Sequence, residues 1–417
     1  MKLKLALVLL FLAQPAFAQE SQLELDTSKF PEWMVAPAKY KADQLVYADW
    51  EKVQSSGAKA FEAFEYGKAE NLLKQAVTMA QDIGPGDIRI AKSPGDLGRL
   101  LEVRGRFDEA EPLLEQELYL KERAIGQDYP KLIPNMEDLI RFYLVNGTRD
   151  KAGPLTEDLI NFVQGKFREQ ASKAEAETKL KKGSPLIGWA GTAQLEMRGP
   201  LLDWSITCDK LGDTYRYIGK PDMAEKLYKT ALDVKATVLG KRHLSLANSY
   251  DNLGRVCMSK SEKKDAESYF LEALSISQEV LEKNDPALFG RMDRLAKCYI
   301  EQKKFAQAEA LYRQAAATFA GNKDYLQRSL FGLGCLYSDQ RRFGQASSVL
   351  GRALSLARET NGSCSIQIVP YLRKYAYVAY YSGGKGKMQN LHALANYIAP
   401  EVKPLQASAS MGKFKVK

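Results

Sequence analysis

The chain has 417 residues, 45% of them apolar and 27% charged, with only two histidines. It is long enough to bury a sizeable core, and its composition excludes disordered and collagen-like classes. Sixty Lys and Arg against 51 Asp and Glu leave a formal charge of +9; over this length that favours acidic partners weakly and does not mark a nucleic-acid binder.

The opening MKLKLALVLLFLAQPAFAQE sets Lys2 and Lys4 before a short apolar run, then Ala16-Phe17-Ala18 before Gln19. That order is the one signal peptidase reads, so residues 1–18 are expected to be a cleaved export signal and the mature chain to carry +7. No Cys follows the run, which argues against a lipid anchor, and no later segment approaches a membrane-spanning length. The expected location is a periplasm or the medium. Residues 19–45, with Pro31, Trp33 and Pro37, read as a lead-in.

From there the chain repeats. Leu97-Gly98 and Leu139-Ile140 are 42 residues apart; after a step of 72, Leu211-Gly212, Leu253-Gly254 and Leu295-Ala296 again lie 42 apart, and Leu333-Gly334 comes after 38. A worn copy begins near Ser56-Gly57. Thirteen residues after each leading Leu stands an alanine: Ala110, Ala152, Ala224, Ala266, Ala308, Ala346. Four later come Tyr228, Phe270, Tyr312 and Leu350, and three after those Ala231, Ala273, Ala315 and Ala353. Two antiparallel helices approach closely only where one side is small, so Gly212 and Ala224 are expected at a helix crossing with Tyr215 and Tyr228 filling the space beside it.

Leu-Gly, Tyr, Ala, an aromatic and Ala at these spacings resemble the tetratricopeptide repeat. The 42-residue step and the loops Gly126/Tyr129-Pro130, Gly240/His243-Leu244 and Asp285-Pro286 are similar to kinesin light chain-type repeats, although no copy has both His and Pro. The resemblance covers roughly residues 50–400. It implies an all-α, right-handed α-solenoid of antiparallel helix pairs, about seven repeats with a degenerate C-terminal cap. Repeats one to three fall in 46–162, and repeats four to seven with the capping helices in 198–400. Between them, 163–197 reads as an insertion: an Ala/Glu/Lys-rich stretch to Lys182 that prolongs a second helix, then Gly183-Ser184-Pro185 and the apolar LIGWAG. Residues 401–417 form a basic tail. Cys208, Cys257, Cys298 and Cys335 fall on equivalent helices as small hydrophobes, while Cys364 reads as a loop residue, so no disulfide framework is expected.

No catalytic pattern emerges. His243 and His392 belong to different repeats and have no partner at ligand spacing. There is no paired-cysteine zinc motif, Walker loop, dinucleotide fingerprint or Gly-x-Ser-x-Gly elbow. The chain reads as a non-enzyme without metal or cofactor.

The resemblance puts first helices on the concave face, where a basic ladder runs. With Leu211 as position seven, position nine reads Arg99, Arg141, Asp213, Arg255, Lys297, Cys335; Lys210 and Arg294 hold position six with Asn252 between them; Asn248 and Arg328 lie earlier. Such a face suits an acidic or extended peptide, with guanidinium groups on carboxylates and amides on main chain. A plainer reading competes: Glu137–Arg141, Asp251–Arg255 and Asp293–Lys297 are (i, i+4) pairs that could simply neutralise the ladder. Lys210, Asn248, Asn252, Arg294 and Arg328 lack such partners in sequence and carry the groove reading better. The carboxylate clamp is not matched, because Asp213 stands beside Lys210 where an amide is needed. The expected function is an exported, non-catalytic scaffold holding a protein segment in its groove, with Lys210, Asn248, Asn252, Arg255, Arg294, Lys297, Arg328 and the insertion's Trp189 as candidate contacts. The alternatives are a self-assembling envelope protein using YLRKYAYVAYYSGG, or a ligand-binding module built on 183–198.

Overall fold

The computed structural model describes residues 30, 31, 34, 44–83, 87–125, 129–146, 148–180 and 192–399. The expected export signal, most of the lead-in, Trp189 with its apolar loop, and the tail lie outside the described residues.

Sixteen α-helices in eight pairs, without a strand, make up the described residues. The first three pairs are α1 (Gln44–Glu62) with α2 (Tyr66–Ile83), α3 (Lys92–Val103) with α4 (Phe107–Ile125), and α5 (Tyr129–Asn146) with α6 (Arg149–Leu180). Next come α7 (Thr192–Tyr217) with α8 (Pro221–Leu239), and α9 (Leu244–Ser259) with α10 (Lys263–Val280). The last are α11 (Pro286–Glu301) with α12 (Phe305–Thr318), α13 (Lys323–Asp339) with α14 (Phe343–Asn361), and α15 (Val369–Tyr381) with α16 (Lys385–Ile398). The chain forms two compact units, Met1–Val234 and Lys235–Lys417. Within each, helices adjacent in sequence pack on one another, as a stack of helix pairs does.

Local chemistry sets the ends. In seven pairs a three-residue turn joins the helices, and its middle residue is left-handed: Phe64, Gly105, Gly219, Ser261, Lys303, Arg341 and Gly383 have φ between 59° and 87°. The amide closing the turn reaches back five residues, as Lys304 N does to Tyr299 O at 2.8 Å, so the helix ends in a Schellman-type cap. Three first helices of unit 2 begin on side-chain caps: Asp285 accepts from Ala287 N (2.8 Å) with Pro286 next, and Asn322 accepts from Asp324 N (3.0 Å). His243 is such a cap, its Nδ1 accepting from Ser245 N at 3.2 Å.

At the crossings the repeated small residues sit where the sequence places them. Ala224, Ala266, Ala308 and Ala346 are fully buried. A Cβ on Gly212 would stand 2.7 Å from the Tyr228 ring, and one on Gly254 2.6 Å from that of Phe270, so the glycines admit the aromatic rings. Ala296 occupies that place in the next repeat, and its partner Tyr312 lies against Gly332 instead, 2.4 Å from where a Cβ would be.

Unit 1 also takes in part of the lead-in: Phe30 and Met34 pack with Trp50, Ala76 and Leu120. Helix α6 runs on to Leu180. Helix α7 differs from expectation. It starts at Thr192, inside the segment read as insertion to 197, because TAQLEMR is itself helix-forming and continues into the first helix through Pro200. Cys208, Cys257 and Cys298 are buried, Cys335 half-buried and Cys364 exposed.

Candidate functional site

Most of the candidate contacts lie in unit 2, on the first helices α9, α11 and α13. Lys210 belongs to unit 1, where it pairs with Glu137 at 3.3 Å; the same carboxylate accepts from Thr207 Oγ1 at 2.9 Å. Arg141 turns to Asp138 (3.2 Å) rather than Glu137.

In unit 2 the ladder is tied across helices more than along them. Only Asp293–Lys297, at 2.7 Å, forms as the (i, i+4) rule predicts. Asp251 is taken by Arg294 of the next first helix at 2.5 Å. Arg255 donates to the neutral Asn252 at 3.4 Å. Asn248 accepts from Arg291 Nη2 at 2.6 Å. Arg291 was not legible as a site residue. It is only 4% exposed, its Nε has no hydrogen-bond partner, and burial pulls its guanidinium below its ordinary range. Lys210, Asn248 and Arg294, which lack partners along their own helices, therefore find them on a neighbouring first helix. The (i, i+4) rule sees one helix at a time and cannot supply such partners.

Arg328 differs from the rest of the ladder. Its side chain is exposed, and no carboxylate among the described residues pairs with it. Its guanidinium lies 4.7 Å from the ring centre of Phe289 and 5.9 Å from that of Tyr325. These rings, themselves 5.2 Å apart, orient the charge without neutralising it. The group borders a cavity of about 360 Å³ lined by Asp324, Tyr325, Gln327, Arg328, Asn361, Gln367 and Tyr371. One acid lies in that wall, Asp324, and it accepts from Gln327 Nε2 at 3.1 Å. Burial raises the Tyr371 phenol, so it stands as a neutral donor, and its ring packs on Phe331 at 4.5 Å. A guanidinium on an aromatic wall, flanked by amides and a phenol, can hold a carboxylate by charge and a peptide group by hydrogen bonds. Of these residues the repeat register marks only Arg328; the rings and amides belong to helix starts and loops that carry no repeat mark.

Among the described residues no group of three or more His, Cys, Asp and Glu is placed to hold a metal ion. No helix among them is long and apolar enough to cross a membrane.

Residues 205–279 and 288–359 match the tetratricopeptide repeat model. Comparison with curated proteins gave no match. Among solved structures, the chain is similar to nearly identical TPR-like repeats of a putative kinesin light chain from Podosopora anserina, with 19% identity, 46% of this chain and 93% of that one covered, and a TM-score of 0.42. It is also similar to BtubC (BKLC) from P. vanneervenii, with 19% identity, 61% and 94% covered, and a TM-score of 0.42. YrrB, a TPR protein with an unusual peptide-binding site, shares 15% identity over 51% of this chain and 95% of its own, with a TM-score of 0.34. Residues 205–279 and 288–359, part of an architecture that is all-α among the described residues, are thus similar to tetratricopeptide repeats.

Proposed function

We propose that the protein is an exported, non-catalytic scaffold that holds an extended, acid-bearing protein segment on the first-helix face of unit 2. The observation that carries this reading is Arg328, a guanidinium fixed by Phe289 and Tyr325, without a carboxylate partner among the described residues, at the edge of a cavity rich in hydrogen-bonding groups. Arg255, held only by an amide, supplies a second positive contact, with Asn248, Asn252, Arg294 and Lys297 beside it as a polar floor. Tetratricopeptide repeats serve as protein-interaction scaffolds, and a face built on packed helix pairs is preformed, so little ordering cost falls on the protein. Export rests on the MKLK…AFA start, and a mature chain beginning at Gln19 in the envelope or medium is the expected product.

The test is affinity capture from envelope extract with the full mature chain as bait, alongside Arg328→Glu and an Arg255→Glu, Arg294→Glu pair. A protein retained by the unaltered chain and lost with Arg328→Glu supports the reading and identifies the partner. Retention of the same set by every bait overturns it.

A further inference from the structure

A second cavity, of about 430 Å³, lies in the last repeats of unit 2, on α14, α15 and α16, and shares no residue with the Arg328 cavity. Its polar wall consists of Arg358, Lys387, Tyr375, Ser355, Ser363 and Glu359, with Leu354 and Leu391 beside them.

The repeat pattern shows how it arises. At three steps a glutamate fourteen residues after one leading position meets a cation nine residues after the next: Glu70–Arg106 at 2.8 Å, Glu267–Lys304 at 2.5 Å, Glu309–Arg342 at 2.8 Å. At the final step both members are gone, replaced by Ser347 and Gly384. Two further exchanges accompany the loss. The leading Leu becomes Tyr375, and the place of Lys229, Leu271 and Arg313 becomes Gly351. A Cβ on Gly351 would stand 3.0 Å from Tyr375 Oη, so the missing side chain leaves room for the hydroxyl.

The charges in this cavity are not balanced from within. Lys387 donates to the Tyr375 hydroxyl and lies over its ring. Arg358 Nε is buried with no hydrogen-bond partner, and neither cation forms an ion pair among the described residues. The one acid in the wall, Glu359, is held by Lys323 at 3.0 Å. A buried guanidinium donor left unmade is costly unless something accepts from it.

We propose that this cavity is an oxyanion site that takes the phosphate group of a small molecule, with Arg358 and Lys387 as charged donors and Tyr375, Ser355 and Ser363 as neutral ones. The volume exceeds a bare phosphate, and the two leucines offer an apolar wall to an attached organic residue. A ligand there would tie α14 to α16 and replace the ion pair that the last repeat lacks.

The test is calorimetric titration of the full chain with inorganic phosphate, glycerol phosphate and acetate at constant ionic strength, with amide exchange followed across residues 343–398. Phosphate binding with slowed exchange in α14–α16, weakened about tenfold or more in both Arg358→Gln and Lys387→Gln, is the expected result. Lys387 is exposed, so its variant keeps the test open if the other fails to fold. Tighter binding of glycerol phosphate than of inorganic phosphate assigns an organic phosphate as ligand; equal affinity assigns the free ion. Binding of acetate as tight as phosphate, binding unchanged in the variants, or no binding overturns the proposal.

Discussion

Ala296, Tyr312 and Gly332 form one exchange spread over two repeats. Where the two preceding repeats have Gly212 and Gly254 under the aromatic ring, Ala296 denies that room. The ring of Tyr312 then leans on the next first helix, where position six, elsewhere Lys210, Asn252 or Arg294, has become Gly332. The Tyr312 hydroxyl still reaches back to Asp293 at 3.1 Å, which fixes the ring. The Gly332→Ala variant should therefore lose about 1–3 kcal/mol of stability by urea unfolding. Gly165→Ala, in α6 with no heavy atom within 4 Å of the added carbon, should gain about 0.5–1 kcal/mol. Equal effects at the two sites would refute this account of the crossings. The thiols separate in the same way. Burial pushes Cys335 up to about 11, so at about pH 8 only a small fraction is thiolate, while Cys364 is exposed. Iodoacetamide at that pH should label Cys364 well before Cys335, by peptide mass mapping; the reverse order would mean that α13 opens readily.

Between elements, the recurring link is the half-buried glutamate of a second helix. Glu309 of α12 accepts from Arg342 (2.8 Å) and Tyr337 Oη (2.9 Å), joining α12 to α13 and to the turn before α14. Burial pushes its carboxyl up, but those hydrogen bonds outweigh it and hold the group below its ordinary value of 4.5. A carboxylate depressed in the folded state contributes stability that is complete above the unfolded value and is lost as pH falls through the folded one. Glu309→Gln should thus cost about 1–2 kcal/mol at neutral pH and make the loss of stability below pH 4.5 shallower. Parallel acid-unfolding curves for variant and parent would show that the link contributes nothing. This link could have been read from the sequence, as Glu70, Glu267 and Glu309 recur at one repeat position and Arg106, Lys304 and Arg342 at another. It needs two adjacent repeats to be compared, whereas the (i, i+4) rule compares positions on one helix. Its absence at Ser347 and Gly384 is informative only once the pairing is known.

At the scale of the whole molecule, stacked helix pairs draw stability from their neighbours, so a contiguous run of them should fold alone. A fragment of residues 221–417, starting at the beginning of α8, should show helical circular dichroism and a cooperative melt; a chain without a transition would mean that unit 2 cannot stand by itself. The sequence by itself determined the helix pairs, their register, the glycine and alanine crossings and the burial of Cys208, Cys257 and Cys298. These follow from side-chain size at fixed spacing, and size repeats with the fold. Only the tertiary structure decided which cations are neutralised. Arg294 meets Asp251, and Arg328 meets rings instead of an acid, because charge pairing here runs between helices 42 or so residues apart, at distances that spacing along one helix does not encode.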